Sequence, residues 1–224
     1  MRVLLFGATG MIGDGVLREC LASPRVSSVL AVTRSPLPDR HARLRALHHT
    51  DFMDFRDLAG ELEEIDACFF CLGVSSAGLT EERYRSLTFD IALAAGKAVA
   101  NAHPGAAFCY VSGEGTDSSA QGRVMWARVK GETENALLEL PLNAFMFRPG
   151  FVRPRHGVKS KTRLYRAFYA VMTPLYPLLK RMAPGHVTTS ENVRAMIAAA
   201  TVGYRKRVLE NDDINELASA AHRP

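Results

Sequence analysis

The segment Gly7-Ala8-Thr9-Gly10-Met11-Ile12-Gly13 follows a short apolar run, residues 3–6, and opens a stretch that reads as a helix over residues 11–22. Glycines at spacing three and three between a strand and a helix leave few folds open. They meet three demands at once: a tight turn, a backbone bare enough for a bulky anion to approach, and close packing of the helix on the strand. The helix start adds unpaired N–H groups and the positive end of its dipole. The segment therefore predicts a phosphate-binding β-α turn.

Beyond residue 22 the β-α unit repeats. Strands are expected at residues 29–33, 44–49, 67–72, 107–112 and 144–148, and helices at 54–62, 80–102 and 125–140, with Thr80 as the N-cap of the long one. Buried strands written as unbroken apolar runs suit a parallel sheet covered by helices on both faces. The rhythm breaks after residue 150. Residues 164–182 read as helical but carry Pro174 and Pro177, and an expected helix at 193–202, a short strand at 207–209 and a last helix at 212–220 come after. The loop-like stretches are 75–78, 113–122 and 153–160. The expected fold is α/β, a doubly wound parallel sheet of Rossmann type with a small C-terminal lobe. Residues 1–224 form one domain, and 151–188 a substrate-side or lid segment within it. In such a series the glycine turn holds a dinucleotide on Gly7, Thr9, Gly10, Met11, Ile12 and Gly13.

A chain of 224 residues, 47% apolar, suffices for one sizeable core. No run reaches the roughly 18 apolar residues of a membrane span, and no hydrophobic leader precedes the first strand, so a cytoplasmic protein without a span is expected. Cys20, Cys68, Cys71 and Cys109 fall inside elements and read as structural thiols, and the histidines are scattered without metal-ligand spacing, so no metal is expected. The net charge of +5 is unevenly placed: residues 141–190 hold nine Lys and Arg and no acid. That surface suits a phosphate, a carboxylate or an acidic protein partner, ahead of any specific nucleic acid.

The second strand ends Val32-Thr33-Arg34-Ser35, where an acid would accept from the ribose 2′-hydroxyl of NAD. No acid occurs before Asp39. Arg34 instead supplies a cation for a 2′-phosphate, and the hydroxyls of Thr33 and Ser35 can bond to it. NADP(H) is expected over NAD.

The G-x-x-G-x-x-G turn, with Tyr110-Val111-Ser112, Val129-Lys130-Gly131-Glu132 and Phe147-Arg148-Pro149-Gly150, resembles the extended and atypical short-chain dehydrogenase/reductases over nearly the whole chain. It is most similar to the Tat-interacting-protein branch and its short bacterial epimerase-like relatives. The resemblance implies that Asp51 and Phe52 meet the adenine, and that Cys71, Leu72 and Gly73 flank the cofactor. It also implies that Arg148, Pro149 and Gly150 border the cofactor from the sixth strand, and that Ser112 orients a substrate oxygen.

One departure bears on catalysis. Where the superfamily has Y-x-x-x-K, this chain has Trp126-Ala127-Arg128-Val129-Lys130. Helical spacing keeps positions 126 and 130 on one face, but an indole N–H donates a hydrogen bond without acting as an acid. Loss of general acid catalysis costs about 10²- to 10⁴-fold in rate. The resemblance leaves Lys130 bonding the nicotinamide ribose and Ser112 near the carbonyl, neither a convincing proton donor by itself. Tyr84, Tyr110, Glu114 or a bound water are the substitutes open at this point, and Trp126 is either a buried aromatic or a wall for a substrate ring. Residues 167–179, apolar and flanked by Arg163, Arg166, Lys180 and Arg181, read first as a lid, then as a dimer contact, then as a membrane-surface helix.

Two functions remain in view. One is an NADP-dependent oxidoreductase or epimerase-like enzyme for a small, anionic, oxygenated substrate, with catalytic candidates Ser112, Lys130 and Trp126. The other is a non-catalytic NADP(H) sensor that binds a protein partner, with a homodimer also open.

Overall fold

The computed structural model describes residues 1–37, 41–153, 187–189 and 192–220. Its central strands are β1 (Arg2–Phe6), β2 (Ser28–Thr33), β3 (Leu44–His48), β4 (Ala67–Phe70), β5 (Ala107–Val111), β6 (Asn143–Arg148) and β9 (Val208–Glu210). They form a seven-stranded, wholly parallel sheet in the order β3-β2-β1-β4-β5-β6-β9. Strand order reverses at β1, which pairs with β2 on one side and β4 on the other. A crevice outside the carboxyl ends of such strands is where open α/β sheets hold ligands.

Period-two alternation splits the apolar strand residues between two layers. Val3, Leu5, Ala31, Phe69, Cys109 and Phe145 pack on one face with α1 (Met11–Ala22), α6 (Ala195–Val202) and α7 (Asn211–Ala220). Leu4, Phe6, Leu30, Phe70, Phe108 and Met146 pack on the other, beneath α2 (Ala59–Leu62), α4 (Ile91–Ala102) and α5 (Met125–Leu138). Both faces are therefore dry, as the unbroken apolar runs require.

Several boundaries differ from expectation for local reasons. The helix expected at 54–62 is a 3₁₀ turn, Arg56–Leu58, leading into the short α2. The helix expected at 80–102 starts as predicted, with Thr80 Oγ1 accepting from the Arg83 N–H at 3.3 Å, but α3 (Glu81–Arg85) passes through a π-helical turn, Ser86–Asp90, before α4. At that turn Arg85 reaches Glu132 of α5 at 2.7 Å and Asp90 at 3.0 Å, and lies 3.9 Å over the Phe89 ring. Tertiary pairing of this kind is invisible to local periodicity. A small second sheet, absent from the sequence reading, pairs β7 (Phe151–Arg153) with β8 (Val187–Thr189) in parallel. The expected kinked helix at 164–182 and most of the 151–188 segment lie outside the described residues. No helix among the described residues is long and apolar enough to cross a membrane.

Candidate functional site

The glycine turn sits at the reversal of strand order. Gly7 has φ +83°, and a Cβ there would lie 2.7 Å from the Cys71 carbonyl carbon on the neighbouring β4 turn, so only glycine fits. A Cβ at Gly13 would lie 2.0 Å from the Gly7 oxygen, which is how closely α1 docks on the turn. Gly10 is the N-cap of α1 and brings no side-chain cap. Its N–H is taken by the Gly7 oxygen at 2.9 Å, whereas the first-turn N–H groups of Met11, Ile12 and Gly13 have no acceptor within the helix. Asp14, the acid of that first turn, is held by Arg18 at 2.8 Å, which offsets its repulsion of an anion. A bare-backbone cradle with free donors fits a dinucleotide pyrophosphate.

The turns on either side converge on the same crevice. Leu72 and Gly73 come directly after Cys71, whose N–H extends the ladder to the Phe6 oxygen at 3.0 Å. At the end of β2 the exposed Arg34 places its guanidinium 6.0 Å from the centre of the Phe52 ring. Thr33 is buried and its hydroxyl donates to the Ser35 oxygen at 2.8 Å, so of the two hydroxyls expected here only that of Ser35 stands exposed. Asp51 is also exposed, its Oδ1 accepting from the Met53 N–H at 3.0 Å. The loop carrying Asp51 and Phe52 is fixed by a residue the sequence pattern did not single out. His49 is buried, stacks on Phe55 and points Nε2 at the carbonyls of Asp51, 2.6 Å, and Asp54, 2.9 Å. Two acceptors require that Nε2 carry the proton. Its Nδ1 lies 3.4 Å from the Asp57 carboxylate.

The substrate end is organised around a second overlooked residue, Glu134. Positions 126, 130 and 134 recur every four residues, so Trp126, Lys130 and Glu134 share one stripe of α5. Glu134 is 1% exposed. Its carboxylate accepts from Arg148 Nε at 3.0 Å and from Nη2, and also from the Ser112 hydroxyl at 2.5 Å. The remaining guanidinium donors of Arg148 go to Glu210 at 3.0 Å and to Ser118 Oγ at 2.6 Å. Arg148, expected beside the cofactor, thus has all three of its guanidinium nitrogens engaged in tying β6 to α5, to β9 and to the 113–122 loop. Lys130 donates to the Ser112 main-chain oxygen. Burial lowers the Lys130 pKa to about 8, against an opposing pull from Glu134.

The 113–122 loop is built rather than slack. Asp117 accepts from the N–H groups of Ser119, 3.0 Å, Gln121, 3.1 Å, and Gly122, 2.6 Å, and the Ser119 hydroxyl is the main cause of its lowered pKa. Gly131 lets the loop lie on α5, since a Cβ there would fall 1.7 Å from the Asp117 oxygen. This seats Gly115 against the outer edge of Trp126, 3.6 Å from a Cβ built on the glycine. Tyr84 and Tyr110 are buried, Tyr110 in the layer beneath α5, its hydroxyl pKa driven up by burial. The four thiols are free, and burial raises the Cys20 pKa to about 12. No metal-binding cluster occurs among the described residues.

A groove of about 640 Å³ between residues 53–63 and α4 lies away from these groups. At the carboxyl ends of the strands, Ile12, Val111, Phe147, Pro149 and Val152 close over a void of only about 20 Å³. We place the chemistry by the convergent polar groups, not by the larger hollow.

Comparison with known proteins agrees with this fold. Residues 3–113 match the NAD dependent epimerase/dehydratase family. Among curated proteins, the mitochondrial protein fmp52-2 of Aspergillus terreus is 27% identical over 178 residues, 76% of this chain and 75% of the relative. The mitochondrial protein fmp52 of Emericella nidulans is 26% identical over 178 residues, 75% and 74% of the two chains. Among solved structures, DesIV, a dTDP-glucose 4,6-dehydratase from Streptomyces venezuelae with NAD and TYD bound, superposes with a TM-score of 0.68 at 18% identity, covering 100% of this chain and 82% of its own. The Bordetella bronchiseptica enzyme WbmF in complex with NAD+ gives 0.67 at 18%, covering 97% and 76%. Residues 3–113 are thus similar to the NAD dependent epimerase/dehydratase family, and the solved structures show that the chain has the Rossmann fold.

Proposed function

We propose that this chain is an NADP(H)-dependent oxidoreductase or epimerase-like enzyme acting on a small, anionic, oxygenated substrate. The observation that carries the cofactor choice is Arg34, exposed at the end of β2 and 6.0 Å from the Phe52 ring, with no acid in the sequence from the start of β2 to Asp39. The glycine turn would hold the pyrophosphate, Arg34 and Ser35 the 2′-phosphate, Phe52 the adenine and Lys130 the nicotinamide ribose. When bound, the nicotinamide exchanges hydride with a substrate carbon. The anionic character given to the substrate is supported by the charge of residues 141–190, which hold no acid and, besides the engaged Arg148, eight Lys and Arg.

Trp126 is the sole tryptophan, so it reports on the site directly. Titrated NADPH is expected to quench its fluorescence and to gain sensitised emission. Arg34→Glu is expected to weaken NADPH at least about tenfold, or 1.4 kcal/mol, while leaving NADH little changed. Quenching by NADH alone in the native protein overturns the cofactor choice.

Trp126 also favours a second reading, a cofactor sensor without turnover that binds a protein partner. A carbonyl panel run on the native chain and on Trp126→Tyr separates the two. Turnover only in the variant supports the sensor, and turnover in the native chain supports the enzyme.

A further inference from the structure

Four groups meet where β5 ends against α5: the Ser112 hydroxyl, the Lys130 ammonium, the Glu134 carboxylate and the Arg148 guanidinium. The directions of their hydrogen bonds decide which of them can surrender a proton. Glu134 receives two N–H groups from Arg148 and is an acceptor on both oxygens. The single proton of Ser112 Oγ is directed at that carboxylate, 2.5 Å away, a charge-assisted bond that outcompetes the Phe147 carbonyl at 3.2 Å. The serine therefore turns lone pairs, and no proton, toward the crevice. Tyr110 is 1% and Tyr84 2% exposed, both sealed in the core, and Glu114 is an exposed acid. The Trp126 N–H is not acidic.

We propose that Lys130 itself is the general acid for carbonyl reduction at this site, and the general base in the reverse direction, in place of the tyrosine absent from position 126. The inference rests on reading the chain as an oxidoreductase. An ammonium carries three N–H groups, and one of them donates to the Ser112 main-chain oxygen, which fixes the head group and leaves one for the nicotinamide ribose and one for a substrate. Among the described residues the charges around it are Glu134 one turn on along α5, Arg148 of β6 with Glu210 of β9 behind it, and, across α5 from α3, Arg85 bound to Glu132. Burial brings the ammonium to about 8, protonated at neutrality yet able to release its proton. A bound dihydronicotinamide would supply hydride to the carbonyl carbon, the C–O π pair moving to oxygen. That oxygen takes a proton from Nζ: an N–H bond breaks, an O–H bond forms, and the neutral amine recovers a proton from water.

The chain has six lysines, so ε-¹³C-labelled lysine gives a readable NMR titration of the protein without cofactor. One resonance is expected to titrate near pH 8 and to vanish in Lys130→Arg. In that variant, which loses the ribose contact given to Lys130, NADPH quenching of Trp126 is expected to weaken yet still saturate, and kcat for carbonyl reduction at saturating NADPH to fall at least about 100-fold. Native kcat is expected to fall as pH rises through about 8. A Lys130 resonance titrating at the ordinary 10.5, or a Lys130→Arg variant that keeps native kcat, overturns the assignment of the acid alone. Absence of native turnover across the carbonyl panel overturns the oxidoreductase reading, and this inference with it.

Discussion

Replacing Glu134 by leucine tests whether the α5 to β6 seam is held as described. The change leaves the Arg148 guanidinium, 9% exposed, without its principal carboxylate, and leaves the Ser112 hydroxyl without the acceptor 2.5 Å away. Removing one partner of a buried ion pair costs about 3–5 kcal/mol, because the remaining charge is stranded in a poor solvent. Here Glu210 and Ser118 still receive two guanidinium N–H groups, so a loss near the lower end, about 3 kcal/mol, is expected. Equilibrium urea unfolding followed by circular dichroism measures it. The double variant Glu134→Leu with Arg148→Met carries the sharper outcome. Apolar replacement of both partners is often neutral or stabilising, so the double variant should recover most of the loss from the single one. A single-variant loss below about 1 kcal/mol, or a double variant as unstable as the two singles summed, would refute the reasoning.

Two glycines and Lys130 supply the remaining tests. Gly13→Ala places a Cβ 2.0 Å from the Gly7 oxygen, a backbone atom that cannot swing aside, so α1 must lift and NADPH affinity by Trp126 fluorescence should fall at least about tenfold. Gly60→Ala, in the short α2 with nothing within 4 Å of the new methyl, should leave affinity unchanged and stabilise by up to about 1 kcal/mol; equal losses in both variants would undo the argument. For Lys130 the sign is set by its depressed folded value, about 8 against 10.5: between those values the unfolded chain holds the extra proton, so native stability rises with pH. Relative to Lys130→Met, the native chain should gain at most about 3 kcal/mol across that window, and a pH-independent difference would contradict the burial of the ammonium.

Much of the fold was legible because the buried strands are apolar runs and the start of the long helix is marked by its cap, Thr80. The phosphate cradle was legible for a stronger reason. Gly7, Gly10 and Gly13 answer steric demands inside one turn, so sequence spacing alone states them. The π-helical turn at Ser86–Asp90 and the β7 to β8 pairing were not legible, since each depends on residues far along the chain, Glu132 for the former and the 187–189 strand for the latter.

The polar centre shows the same division most sharply. Glu134 stands in Gly131-Glu132-Thr133-Glu134-Asn135, a sequence that looks like a solvated helix face, and Arg148 stands in a turn that invites a ligand. Each looked exposed because its partner lay fourteen residues away on another element, and together they form a pair buried between α5 and β6. That pairing changes the meaning of Trp126. If Ser112 were free to donate, loss of the tyrosine would leave a serine as the nearest substitute; with its proton directed at Glu134, the one titratable donor left on the stripe is Lys130, four residues from the indole. The tryptophan and the retained lysine are then compatible parts of one site: the aromatic ring shapes the wall, and the proton question passes to its neighbour one turn along the helix.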